Sequence, residues 1–152
     1  MPEIETTQKL SEIIEEQFGA KIDFKLRKAG KRKVYAYKEC TILENQPIES
    51  IHYGVYFGKL DKEGKIRLSI EGAQLIGKKA KKNIIEINYD EAEKWMKGEN
   101  LKIESETQGY VILKWKNYYL GCGELKKGTI KNYVPKDRRT ITQNVPKHMK
   151  PS

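Results

Sequence analysis

The residues best able to act as nucleophile, base or metal ligand in this 152-residue chain are two cysteines and two histidines, and their settings speak against those roles. Cys40 lies between Glu39 and Thr41, and Cys122 lies between two glycines in a turn-like run; both read as small buried hydrophobes. They stand far apart in strand-like surroundings, which supports neither a disulfide framework nor a zinc knuckle. His52 falls in a strand-like stretch and reads as structural, while His148 belongs to the tail, so a His-based triad or metal cluster has little to work with. The carboxylates fall mainly on helix faces and turns, and no pair is placed for acid–base work. The expectation is a non-catalytic chain with no metal site and no cofactor.

Cations give the stronger signal. Thirty Lys and Arg against 21 Asp and Glu leave a formal charge of +9 and a pI near 9.4, which points to a polyanionic partner. From Tyr110 onward there are ten Lys or Arg against Glu124 and Asp137, a balance of +8, so nearly all of the excess sits in the last third. Three clusters stand out: Lys28, Lys31, Arg32 and Lys33; then Lys78, Lys79, Lys81 and Lys82; then Lys131, Lys136, Arg138 and Arg139. Clustered cations neutralise phosphates and release counterions, giving sequence-independent affinity. A single lysine run in a Lys-rich chain reads first as a solvated face. The third cluster differs, because Asn132, Tyr133 and Pro135 are interleaved with it: bidentate phosphate donors, an aromatic platform and an amide able to read a base edge. Tyr133 reads equally well as a core residue.

The elements that must position these groups follow from periodicity. Leu10, Ile13, Ile14 and Phe18 recur at helical spacing, with Thr6 or Thr7 as cap, Gly19 as stop, and Glu12, Glu15 and Glu16 on the other face. Residues 1–18 are net acidic by four charges, and this end is not expected to touch a phosphate backbone. Lys21 to Cys40 predicts a hairpin with a cationic tip around Gly30, and a connector through Asn45, Gln46 and Pro47 leads to a strand over Ile51 to Leu60, with bends or close backbone approach at Gly54 and Gly58. The polar turn from Asp61 to Gly64 marks the expected domain boundary. Beyond it the spacing predicts a strand at Lys65 to Leu68, a short helix capped by Ser69 and closed by Gly77, a strand at Asn83 to Ile87, a helix over Glu91 to Lys97, then closely spaced strands. That order is α+β. The tail from Ile141 has too little apolar content to pack. No apolar run approaches the roughly 20 residues of a spanning helix, and the N-terminus lacks a signal-peptide layout, so a cytoplasmic protein with no membrane partner is expected.

The run GYVILKW followed by YYLGCGELKKGTIKNYVPKDRR resembles the last strands of a PUA domain. More narrowly, it is similar to the C-terminal PUA-like module of RNA cytosine-5 methyltransferases of the Fmu/RsmF class, through Leu120, Gly121, Gly123, Gly128, Ile130, Lys131, Asn132, Tyr133, Pro135, Lys136 and Arg138. The resemblance covers about Lys65 to Thr140. It implies a small pre-PUA-like α/β domain at 1–62, a PUA-like mixed β pseudo-barrel with two short helices at 63–142, and a basic tail at 143–152. It also implies an RNA surface at the turn from Ser69 to Ala73 with Gly72, at Lys78, Lys79, Lys81 and Lys82, and at Lys131, Asn132, Tyr133, Lys136, Arg138 and Arg139. The glycine-rich loop and Pro-Cys or Thr-Cys nucleophile of those methyltransferases are missing.

The reading is therefore a non-catalytic RNA-binding protein for structured rRNA or tRNA in RNA modification or ribosome biogenesis, acting alone or beside a separate modifying enzyme. No DNA specificity is expected. Folded RNA is favoured over a long single strand, since a stacking groove wants more exposed aromatics than three Phe and two Trp, several in core-like positions, can offer. Two rivals are an adaptor that docks on a methyltransferase or ribosomal protein through the acidic helix, and a small RNA-modifying enzyme whose catalytic groups escape recognition.

Overall fold

The computed structural model describes residues 2–40, 51–105 and 108–139. Its elements run α1 (Pro2–Phe18), β1 (Lys25–Ala29), β2 (Lys33–Cys40), β3 (Ile51–Leu60), β4 (Ile66–Leu68), α2 (Ile70–Ile76), β5 (Ile84–Glu86), α3 (Tyr89–Met96), β6 (Leu101–Lys102), β7 (Gly109–Trp115), β8 (Tyr118–Lys126) and β9 (Thr129–Lys131), closing on a 3-10 turn (Lys136–Arg138). The class is α+β, with three helices and a curled β half-barrel of PUA-like form. The first sheet is an antiparallel meander, β1-β2-β3-β4, and the second has the order β5-β7-β8-β9-β6 with only β5 and β7 parallel.

Alternation builds the first sheet. Val34 and Ala36 turn inward from β2 while Tyr35 and Tyr37 turn outward, and Leu26, Ile66 and Leu68 join the inner layer. Against that layer α1 lays Leu10, Ile14 and Phe18, all buried. Each fully buried side chain of this kind contributes about 1.5–3 kcal/mol. The same cluster takes in Ile76 of α2 and Ile112 of β7. A second cluster gathers around the fully buried Trp95 of α3, with Leu113, Leu125 and Ile130 from the second sheet.

Across residues 62 and 63 the backbone pairing continues, with Leu60 opposite Ile66 and Gly58 opposite Leu68. Gly58 gives the expected close approach, since a Cβ there would lie 2.6 Å from the Arg67 carbonyl oxygen. The Asp61 turn forms as expected: its Oδ1 accepts from the amides of Glu63 and Lys65, and its Oδ2 accepts from the Tyr110 hydroxyl at 3.0 Å, tying β7 to the first sheet.

Two local expectations need correction, and a third holds for another reason. Helix α1 starts at Pro2, whose missing N–H and fixed φ suit a first turn, so Thr6 and Thr7 lie inside it. The Thr7 hydroxyl instead donates to the Leu26 carbonyl at 2.9 Å and accepts from the Leu26 amide at 3.3 Å, clasping β1. Helix α3 starts at Tyr89 rather than Glu91, because Asn88 and Glu91 form a reciprocal capping box. Gly77 closes α2 without a left-handed φ; its smallness is needed because a Cβ would lie 2.3 Å from the Tyr119 ring.

The connector at Asn45 to Pro47 and the tail at 143–152, with His148, lie outside the described residues, as do the side chains of Cys40 and His52. Among the described residues no helix is long and apolar enough to cross a membrane.

Candidate nucleic-acid interface

Cys122 is a buried free thiol on β8, and burial pushes its pKa up to about 12, so it behaves as the small core hydrophobe expected. Burial likewise holds the Tyr56 hydroxyl above its ordinary range, against the pull of the Arg67 charge.

Around Asn132 the third basic cluster is built by a latch. Its Nδ2 donates to the carbonyls of Trp95 at 2.8 Å and Glu99 at 2.9 Å, its Oδ1 accepts from the Val134 amide at 2.7 Å, and its own amide donates to Asn100 Oδ1. The side-chain amide offered by the sequence to a base edge is thus spent inside the fold. What it does is aim the chain beyond β9, fixing where Tyr133 and the 3-10 turn fall.

Tyr133 is half-buried, and its hydroxyl donates to Glu124 at 3.2 Å. Over its ring sit two cations: the Arg67 guanidinium carbon 4.0 Å from the centroid, and Lys131 Nζ at 5.2 Å. Both are within the roughly 6 Å at which a cation is held by the ring quadrupole. The stacking platform is therefore a guanidinium laid on a ring, which offers N–H donors to phosphate and a plane to a base. Arg67 belongs to β4 and lies outside the three basic clusters; its signal is the alternation of Ile66, Arg67 and Leu68, which turns it away from the core.

Beside this pair opens a cleft of about 510 Å³, walled by Tyr56, Arg67, Glu71, Tyr133, Pro135 and Arg138. Ser69 sets one wall: its Oγ accepts from the Gly72 amide at 2.9 Å as the cap of α2 and donates to the β3 carbonyls of Tyr56 and Phe57. Arg138 pairs with Glu71 across the cleft mouth. Arg139 donates from Nε to the Val134 carbonyl at 3.2 Å and packs over Gly98, while Lys136 is exposed. Gly72 is buried, and a Cβ on it would lie 2.1 Å from the Phe57 carbonyl oxygen, which gives this glycine a packing role.

Lys78, Lys79, Lys81 and Lys82 sit elsewhere. The Lys81 and Lys82 amides donate to the Phe18 carbonyl, capping the C-terminus of α1, where cations also suit the helix dipole. All four lysines are exposed, and Lys79 pairs with Asp23 at 3.2 Å. This loop precedes β5, one edge of the second sheet, whereas Lys131 ends β9 next to the other edge strand and Lys136 to Arg139 follow it; Lys78, Lys79 and Lys81 line a different cavity from Arg138. The first cluster lies at the β1–β2 hairpin, where Lys33 stands opposite Ala29 on one side and Lys59 on the other.

Residues 82–140, 59 of the 152, match the family model of the methyltransferase RsmF PUA domain. The likeness to the C-terminal module of those enzymes therefore holds for this segment, and a PUA domain is an RNA-binding module. No curated protein matches the chain. Three glycines within the matched segment have physical reasons: Gly121 has a φ of +123°, Gly128 a φ of +77° in the β8–β9 turn, and a Cβ on Gly123 would lie 2.6 Å from the Trp95 ring.

Proposed function

We infer that this chain is a non-catalytic RNA-binding protein that grips structured rRNA or tRNA, in RNA modification or ribosome biogenesis in the cytoplasm, alone or beside a separate modifying enzyme. The observation that carries the reading is the Arg67 guanidinium stacked on Tyr133 with Lys131 over the same ring, beside a cleft lined by Arg138, with the exposed Lys136 in the same 3-10 turn. Phosphates meet Lys131, Lys136 and Arg138, and a nucleotide stacks on the Arg67 plane. Asn132 and Gly72 serve by positioning this surface rather than by touching RNA. Arg139 anchors the end of the turn, and Lys78, Lys79, Lys81 and Lys82 offer a separate, electrostatic contact. The RNA-binding unit begins near residue 63, with residues 1–62 bracing it through β3 and α1.

The test is the affinity for total tRNA and for rRNA fragments across a salt series, for wild type and for Lys131→Ala/Lys136→Ala/Arg138→Ala. Wild type binds with a steep salt slope, and the triple variant loses about two to three from that slope. Binding no stronger than that of an unrelated protein of equal charge would overturn the reading. It would favour instead a role for the exposed Glu12, Glu15 and Glu16 of α1 as a docking face for a partner protein.

A further inference from the structure

Leading out from the cleft wall, the outer face of the first sheet carries two cross-strand rows. In one, Lys33 of β2 stands opposite Lys59 of β3, which stands opposite Arg67 of β4. In the other, Arg27 of β1 stands opposite Tyr35, which stands opposite Tyr56. Like charges directly opposite one another destabilise a sheet. Among the described residues Lys33, Lys59 and Arg67 form no ion pair that would offset it. Next to this cationic row the Tyr35 and Tyr56 rings lie 5.6 Å apart and tilted, Tyr56 being 37% exposed. Arg67 ends the row and is also the residue stacked on Tyr133, so the face runs on into the cleft. A repulsive row of cations beside a shelf of aromatic rings is complementary to a chain of phosphates carrying unstacked bases.

We propose that this face is a second RNA surface, which takes an unpaired strand leading away from the folded element held at the cleft: backbone phosphates along Lys33, Lys59 and Arg67, and bases on Tyr35 and Tyr56. It rests on the RNA-binding reading above and adds to it the class of RNA, a structured element with a single-stranded extension.

The experiment compares an RNA hairpin with the same hairpin carrying a mixed-sequence single-stranded extension. Wild type prefers the extended RNA by about tenfold, and Tyr35→Leu, at the ring outside the cleft wall, removes most of that preference while leaving the blunt hairpin affinity unchanged. Should that variant melt early, Lys33→Ala/Lys59→Ala at the same face serves instead, reducing the salt slope by about two on the extended RNA alone. Equal affinity of wild type for the two RNAs, or a preference that survives both variants, overturns the second surface and leaves the cleft in place. Binding of neither RNA overturns the RNA reading itself and this inference with it.

Discussion

The Arg67 guanidinium lies 4.0 Å above the Tyr133 ring, joining the edge strand of the first sheet to the segment that follows the last strand of the second. The ring both supports the cation and orients it, so the two residues act as one group. Tyr133→Phe keeps the ring and loses only the bond to Glu124, and RNA affinity stays within about twofold of wild type. Tyr133→Ala leaves Arg67 unsupported and weakens binding by about tenfold, the loss of one stacked base. Fluorescence anisotropy with labelled tRNA at fixed salt separates the two.

Glu71 holds Arg138 across the cleft mouth. An exposed ion pair is worth only about 0.2–1 kcal/mol, so releasing the arginine costs little stability. Glu71→Gln removes a negative charge from the rim and frees Arg138 for phosphate, raising RNA affinity by about two- to fivefold at low salt. Weaker binding by this variant would mean that the pair presents Arg138 to RNA rather than withholding it.

Asn132 is a latch. Asn132→Ala strands the carbonyls of Trp95 and Glu99 and the amide of Val134, and lowers stability by about 2 kcal/mol or more in urea unfolding. Because the latch positions Tyr133, RNA binding falls as well. Lys131→Ala, by contrast, weakens RNA binding with no comparable loss of stability.

Gly123 faces the most crowded point of the second core. A Cβ there would lie 2.5 Å from Ile130 Cγ2, 2.6 Å from Trp95 Cη2 and 2.8 Å from the Lys131 carbonyl oxygen. Gly123→Ala therefore overpacks the core and costs about 1–3 kcal/mol. Gly30 at the hairpin tip meets nothing within 4 Å, so the same methyl group costs only the strain of its φ of +72°. Denaturant midpoints of the two variants rank them directly.

Alkaline pH weakens the fold through Cys122. In the unfolded chain the thiol loses its proton at its ordinary value of 9.0, whereas burial keeps it protonated in the folded state up to about 12. Between those values the folded state holds the extra proton, so stability is fully present below pH 9 and is lost as pH rises through 12. Tyr110 acts in the same direction at higher pH, because burial and its bond to Asp61 push its hydroxyl up. Cys122→Ala removes one proton's share of the slope, about 1.4 kcal/mol per pH unit at most, in unfolding followed from pH 8 to pH 12.

Periodicity, turn chemistry and caps are local, and the sequence alone determined what they govern. The α+β class, the Asp61 turn and the Ser69 cap could all be read from neighbours within a few positions, whereas the turn-like run of Gly121, Cys122 and Gly123 lies inside the continuous strand β8. The density of Lys and Arg after Tyr110 likewise pointed to a polyanion without any fold. Tertiary structure decided what each side chain faces. Asn132 looked like a base reader and is a latch, because the carbonyls that claim it arrive from α3 and from the loop after it. Gly72 looked like part of an RNA-binding turn and is a packing contact, because β3 passes behind it. Arg67 carried only the alternation of a three-residue strand, which turns it outward, and it meets Tyr133 because β4 brings it there across 66 positions of chain. The physical reason is one of range: caps and alternation are set by bonds a few residues long, whereas a charge gains its role only from the ring, carboxylate or cation that a distant strand places against it.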